Sequence, residues 1–173
     1  MNRRIALTFV MAAVWLGVVF AQAQDKYTLK IPDGLAFSEF RGYETWQVVS
    51  VSNAAETINV IVGNPAMIAA YAAGIPGNGK PFPDGAKMVK IQYLPKKSTD
   101  PGNATIPDKL RDVAFMAKDS KRFADSGGWG WGVFTYDPAS SRFTPEGTGA
   151  KCGLACHTSV KAKDYVFTAF GTR

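Results

Sequence analysis

Apolar and polar residues alternate along this chain in short runs, and no long stretch of period 3.6 follows the leader. Trp46–Val51 and Thr57–Val62 read as strands, with Asn53, Ala54 and Ala55 in the short connection between them. Asn64 followed by Pro65 supplies a helix N-cap and a proline at the first helical position. Ala66–Ala73 therefore reads as a short helix, with Gly74 where a C-terminal cap belongs. Residues 76–85 contain Gly77, Gly79, Pro81 and Pro83 and read as a loop. Lys87–Tyr93 reads as a third strand. Its period of two puts Met88, Lys90 and Gln92 on one face and Val89, Ile91 and Tyr93 on the more apolar one. Pro95–Pro107 is polar and rich in turn formers, as expected of a long surface loop. Arg111–Ala117 and the aromatic-rich Trp129–Tyr136 complete five strands. The expected fold class is α+β: a mainly antiparallel β-sheet with a few short helices. The segment around Cys152 to His157 would form a short helix or turn at the sheet's edge.

The N-terminus changes the domain picture. Arg3 and Arg4 precede an apolar run from Ile5 to Phe20 that only Thr8 interrupts, and Ala21-Gln22-Ala23 supplies small residues for a signal peptidase. Residues 1–23 are expected to be a cleaved signal peptide and residues 24–173 a single exported domain. The alternative is an uncleaved anchor, although the run is shorter than the roughly 20 apolar residues a spanning helix needs. The leader carries two positive charges and no acid, so its removal takes the formal net charge from +6 to +4. The remaining lysines and arginines are scattered. That pattern gives no support for nucleic-acid binding, while docking to an acidic redox partner remains open.

The chemistry concentrates near the C-terminus. The chain has two cysteines and one histidine, and they fall together in Lys151-Cys152-Gly153-Leu154-Ala155-Cys156-His157. In the usual c-type haem attachment site two residues separate the cysteines and a histidine follows the second. The two thiols bond to haem vinyl groups and the histidine becomes an axial iron ligand. Three residues intervene here. Gly153 is placed to give the backbone freedom that a bulge would need. The competing reading is a small-loop disulfide between Cys152 and Cys156, with His157 an incidental surface residue. If a haem is bound, the lone His157 excludes bis-histidine ligation. The sixth position is then a methionine, another weak ligand or vacant. Met67, Met88 and Met116 are the methionines left after the leader.

Several segments resemble the cytochrome P-460 family, including the related cytochromes c′-β. They are Gly42-Tyr43-Glu44-Thr45-Trp46, Phe82-Pro83-Asp84-Gly85 with Met88-Val89-Lys90, and Lys118-Asp119-Ser120-Lys121-Arg122-Phe123-Ala124 with Trp129–Phe134. Cys156-His157 and Asp164-Tyr165-Val166-Phe167-Thr168 complete the set, and the likeness runs from about Gly42 to Phe170. The resemblance implies one c-type haem on an antiparallel sheet, usually in a homodimer. It implies hydroxylamine oxidation in the periplasm, with electrons passed to a small electron-transfer cytochrome. It also implies a covalent bond from a lysine to the porphyrin, and Lys90 stands where that lysine is expected. The c′-β members lack the bond and bind nitric oxide.

On this reading Cys152 and Cys156 anchor haem c and His157 is the metal ligand. Lys90 and Glu146 are the catalytic candidates, and an enzyme is expected only if the Lys90 cross-link forms. Without it, the chain would be a nitric oxide-binding protein, or a carrier with a methionine axial ligand. Lys90 could equally be a solvated strand lysine, and Glu146 a solvated loop residue. Phe134, Tyr136 and Phe143 are candidates to wall the pocket. Asn59 stands where some relatives are expected to carry an arginine, and Ala114 where one carries a carboxylate. Both changes would remove groups that handle charge or protons.

Overall fold

Six strands pair antiparallel in the order of the chain: β1 (Gln47–Ala54), β2 (Thr57–Gly63), β3 (Lys87–Lys97), β4 (Thr105–Lys118), β5 (Trp129–Asp137) and β6 (Arg142–Pro145). The computed structural model describes residues 23–54, 56–146 and 149–171, with only the backbone of residues 149, 150 and 152. The expected signal peptide lies outside the described residues except for Ala23. Two helices accompany the sheet, α1 (Pro65–Ala72) and α2 (Gly149–His157), along with several short 3-10 turns. The architecture is α+β and mainly antiparallel, as expected. The α1 start is capped as its sequence implies, because the Asn64 side chain accepts from Met67 N at 3.0 Å.

Besides the end of β1, where Asn53 and Ala54 pair with Ile58 and Thr57 and do not belong to the connection, two features depart from expectation. The segment Pro95–Pro107 is strand at both ends, and the loop is confined to residues 98–104: Pro95 pairs with Pro107, Lys96 with Ile106 and Lys97 with Thr105. These pairs extend β3 and β4 beyond their neighbours as a two-stranded ribbon. Both of its faces meet solvent, so the alternation that marks a half-buried strand is missing. The prolines fit because the register shifts between Tyr93 and Pro95, where a ladder donor is not required. The second departure is β6, which was not expected.

The sheet has two unlike faces. One carries Val62, Val89, Val113, Phe115, Phe134 and Phe143, and the irregular N-terminal segment covers it with Ile31, Leu35, Phe37, Phe40 and Tyr43. Phe37 sits edge-on to Phe115, Phe134 and Phe143 at centroid distances of 4.9, 4.9 and 5.1 Å, and Phe40 stacks on Phe115 at 4.1 Å. The other face carries Met88, Met116, Trp129 and Trp131. There α1 packs through Met67, Ala70 and Tyr71, and the C-terminal segment packs through Val166.

Phe134, Tyr136 and Phe143, expected to wall a pocket, therefore lie in the closed aromatic core. Alternation along β5 turns Phe134 and Tyr136 to the face opposite Trp131, Val133 and Thr135, where Phe143 meets them from β6. Truncation of Phe37 to alanine should cost about 3–5 kcal/mol, the range for emptying a buried aromatic site. Urea denaturation measures it. The visible spectrum of the folded protein should not change, because Phe37 belongs to the closed face.

Candidate functional site

The second face holds the chemistry. Alternation in β3 sends Lys90 to this face between Ile61 of β2 and Ala114 of β4. Helix α2 packs across β5 and ends at His157. After a 3-10 stretch over Thr158–Lys163, the chain turns back and brings Tyr165–Thr168 beside the histidine. Two adjoining cavities lie between these elements, one of 350 Å³ and one of 230 Å³. Lys90, Ala114, Phe115, Trp131, Cys156 and His157 line both. Ile61, Met88, Met116 and Phe167 extend the larger, mostly apolar cavity, and Glu146 lies on the smaller one. Sites for organic groups have this size and makeup, with apolar walls and few polar groups.

His157 has a defined tautomer. Its Nδ1 lies 2.6 Å from the Tyr165 carbonyl oxygen, which only accepts, so Nδ1 carries the proton and Nε2 keeps its lone pair. A metal-binding imidazole is oriented in just this way. Burial holds its pKa below the ordinary histidine value, and the positive charge of Lys90 adds to that effect. The Tyr165 hydrogen bond opposes both. The ring sits between Trp131 at 5.5 Å and Phe167 at 4.9 Å.

The Cys156 thiol is free and exposed beside both cavities, so the disulfide reading does not hold for it. The Cys152 side chain lies outside the described residues, although its backbone belongs to α2. Gly153 does not relieve a bulge, because α2 runs as an unbroken helix from Gly149 to His157. Its role is close packing: a Cβ there would fall 2.3 Å from Cγ of Trp131.

Glu146 is brought to the smaller cavity with Lys90, Cys156 and His157. It is exposed, and Thr135 Oγ1 donates to its Oε1 at 3.2 Å. Asn59 lines neither cavity. Its amide is used internally, donating to Ser52 Oγ at 3.3 Å and accepting from Thr57 Oγ1 at 3.1 Å. Of the methionines after the leader, Met67 is buried on the sheet-facing side of α1, whereas Met88 and Met116 line the larger cavity.

Two residues escaped the sequence reading. Trp131 lines both cavities, and its buried Nε1 has no hydrogen-bond partner. Asp112 lies one alternation beyond Ala114 on the same strand face, opposite Gln92 of β3 and Thr135 of β5. It is 5% exposed. Its Oδ2 pairs with Arg111 Nε at 3.3 Å and its Oδ1 has no partner. Burial raises its pKa and the Glu146 charge adds to the rise, while Arg111 and Lys90 oppose it. The signal in the sequence was a carboxylate in register with Ala114 and Met116 on a strand that is otherwise apolar toward its end.

These residues fit a haem. They present an imidazole with a free Nε2, a thiol one residue away, apolar walls and an unpaired indole N–H. The family model described as cytochrome P460 matches residues 40–168. No curated protein matches the chain.

Two predictions arise from this geometry. Gly153→Ala should drive α2 off Trp131, destabilise the protein by about 1–3 kcal/mol and reduce haem content per polypeptide, read by thermal melting and absorbance. The second concerns the haem-free chain. The folded pKa of His157 lies below the unfolded one, so on acidification the unfolded state binds the proton first. Stability should fall as pH drops from the ordinary histidine range through the lowered folded value. Urea denaturation between about pH 7 and about pH 5 should show this loss, and His157→Gln should lessen it.

Proposed function

The chain belongs to the cytochrome P460 family, and is therefore a haem protein; from that premise we propose that it is a periplasmic c-type cytochrome that oxidises hydroxylamine. The observation that carries this reading is the meeting of Lys90, Cys156 and His157 on the walls of the same two cavities. In the proposal Cys152 and Cys156 tether the haem, His157 binds its iron through Nε2 and Lys90 is bonded to the porphyrin rim. The haem supplies a redox centre that withdraws electrons from the substrate. Export through a cleaved signal peptide, a homodimer, and delivery of electrons to a small periplasmic cytochrome belong to the same proposal.

The chain's own groups supply the remainder. The Tyr165 carbonyl keeps the His157 proton on Nδ1. Trp131, Met88, Met116 and Ile61 limit water in the larger cavity. Oxidation of hydroxylamine releases protons as well as electrons, so the site needs a nearby base. Glu146 is that base at the mouth of the smaller cavity, where solvent can carry the proton away. Asp112, with its unpaired Oδ1 and raised pKa, stands behind it on the sheet face.

A second reading has one specific observation in its favour. Ala114 lies on both cavities and puts a methyl group where a catalytic carboxylate is expected. An apolar wall at that position suits a neutral diatomic ligand. The chain would then bind nitric oxide without turnover and without the lysine bond.

Lys90 decides between the two. A bond from its amine to the porphyrin interrupts the macrocycle's conjugation and changes the absorption at its source. The purified protein should show a red-shifted, broadened Soret band, and a tryptic haem peptide should contain both the Cys152–Cys156 segment and the Lys90 segment. Lys90→Leu should restore an ordinary c-type spectrum and abolish hydroxylamine oxidation while nitric oxide still binds. A free Lys90 peptide in the wild type would eliminate the oxidase reading and leave the nitric oxide binder.

A further inference from the structure

The carbonyl that holds His157 comes from an unusual piece of backbone. Asp164 and Tyr165 both adopt left-handed conformations, with φ of 50° and 63°. Aspartate tolerates this region moderately well, whereas a bulky tyrosine does so only when its surroundings impose it. What imposes it here is an ion pair between Asp164 and Lys118, 46 residues earlier in the chain. Lys118 closes β4, and its Nζ reaches both carboxylate oxygens of Asp164, at 2.8 and 3.0 Å. The side chains are 7% and 12% exposed, so solvent screens the pair little.

Every spare bond of the pair runs to fixed backbone. Lys118 Nζ also donates to the Gly127 carbonyl at 2.9 Å, and Asp164 Oδ2 accepts from Phe82 N at 2.8 Å. The Tyr165 ring lies directly on Gly127, where an added Cβ would fall 2.2 Å from it. The turn at Asp164 and Tyr165 is thus clamped at the carboxylate and at the ring. The Tyr165 carbonyl, held between these two clamps and Val166, meets His157 Nδ1 at 2.6 Å.

We propose that the buried Lys118–Asp164 ion pair positions the iron ligand: it fixes the Tyr165 carbonyl against His157 Nδ1 and so sets how strongly Nε2 donates to the iron. This rests on the haem-ligand reading of His157. The two residues touch neither substrate nor haem in this scheme, and their action passes entirely through one hydrogen bond. A firm acceptor on Nδ1 raises the basicity of the ligating nitrogen. It thereby stabilises the oxidised iron and lowers the reduction potential. Releasing the clamp works in the opposite direction.

Asp164→Asn keeps the size of the side chain and removes its charge. In the haem-loaded protein it should lower the iron–histidine stretching frequency of the ferrous state in resonance Raman spectra and raise the midpoint potential, with the haem still covalently attached. Asp84→Asn is the control. Asp84 ties a neighbouring loop by accepting from Ser120 N and Oγ at 2.8 and 2.7 Å, and it is exposed. Its loss should reduce thermal stability and leave the band and the potential where they were. If Asp164→Asn loses stability but moves neither quantity, the pair is a structural clamp only and the proposal is overturned. Should that variant fail to accumulate, Lys118→Gln carries the same test, and an unmoved band and potential there overturn it equally. A wild-type protein whose iron–histidine band is absent, or survives His157→Ala, removes the haem-ligand reading first and the proposal with it.

Discussion

Alternation along β3, β4 and β5 is the constraint on which the remaining structure depends. Each strand feeds a closed aromatic core with one set of residues and the candidate site with the other, and a slip of one residue would exchange them. Val89 and Phe115 are buried under the N-terminal segment, while Lys90, Ala114 and Trp131 share the smaller cavity with Cys156 and His157 of α2. The core face is therefore more than ballast. Phe37, Phe40 and their partners bury Val89, Val113 and Phe134 on one side, and the same alternation turns Lys90 to the side of His157.

This division explains which parts could be read from the chain alone. Strands with one closed face carry alternation, so β2 to β5 were legible, as were the Asn64 cap and the two faces of β3; β1, with only Val49 buried, was read from its run of β-branched residues. The ribbon beyond Tyr93 was not, because neither of its sides is buried and its residues look like loop. The N-terminal cover was not legible either. Ile31, Leu35, Phe37 and Phe40 follow no α-helical or strand period, since they lie on the sheet in turns and a four-residue 3-10 stretch, Phe37–Phe40. At the site, Cys156 and His157 announced themselves through adjacency. The pocket walls were misassigned to Phe134, Tyr136 and Phe143 because aromatic content says nothing about which face a residue takes. Trp131, on the correct phase of the same strand, is the aromatic that meets the cavities.

Buried charge is handled in two contrasting ways. Lys118 and Asp164 neutralise each other and satisfy their remaining capacity on Gly127 and Phe82. A buried pair completed in this manner gives direction to the backbone around it even where its net stabilisation is small. Asp112 has only a 3.3 Å contact to a half-exposed Arg111 and leaves Oδ1 bare. Arg111 and Lys90 offset only part of that cost, which is the pattern expected where a group is kept for proton handling more than for stability.

The balance between turnover and simple binding then depends on protons more than on iron. The same imidazole, the same thiol and the same apolar walls serve either outcome. A neutral diatomic needs no base, and Ala114 offers it none. Hydroxylamine must shed protons as it is oxidised, and the carboxylates that could receive them are displaced from Ala114 to Glu146 at the mouth and Asp112 behind it. Lys90 stands among all three positions: it faces Ala114 across the ladder, shares the smaller cavity with Glu146 and stabilises the Asp112 carboxylate by its charge. If that amine is consumed in a neutral bond to the porphyrin, Asp112 loses a positive neighbour and its pKa rises further. Cross-linking would thus change the macrocycle and prime the buried carboxylate to hold a proton in the same step.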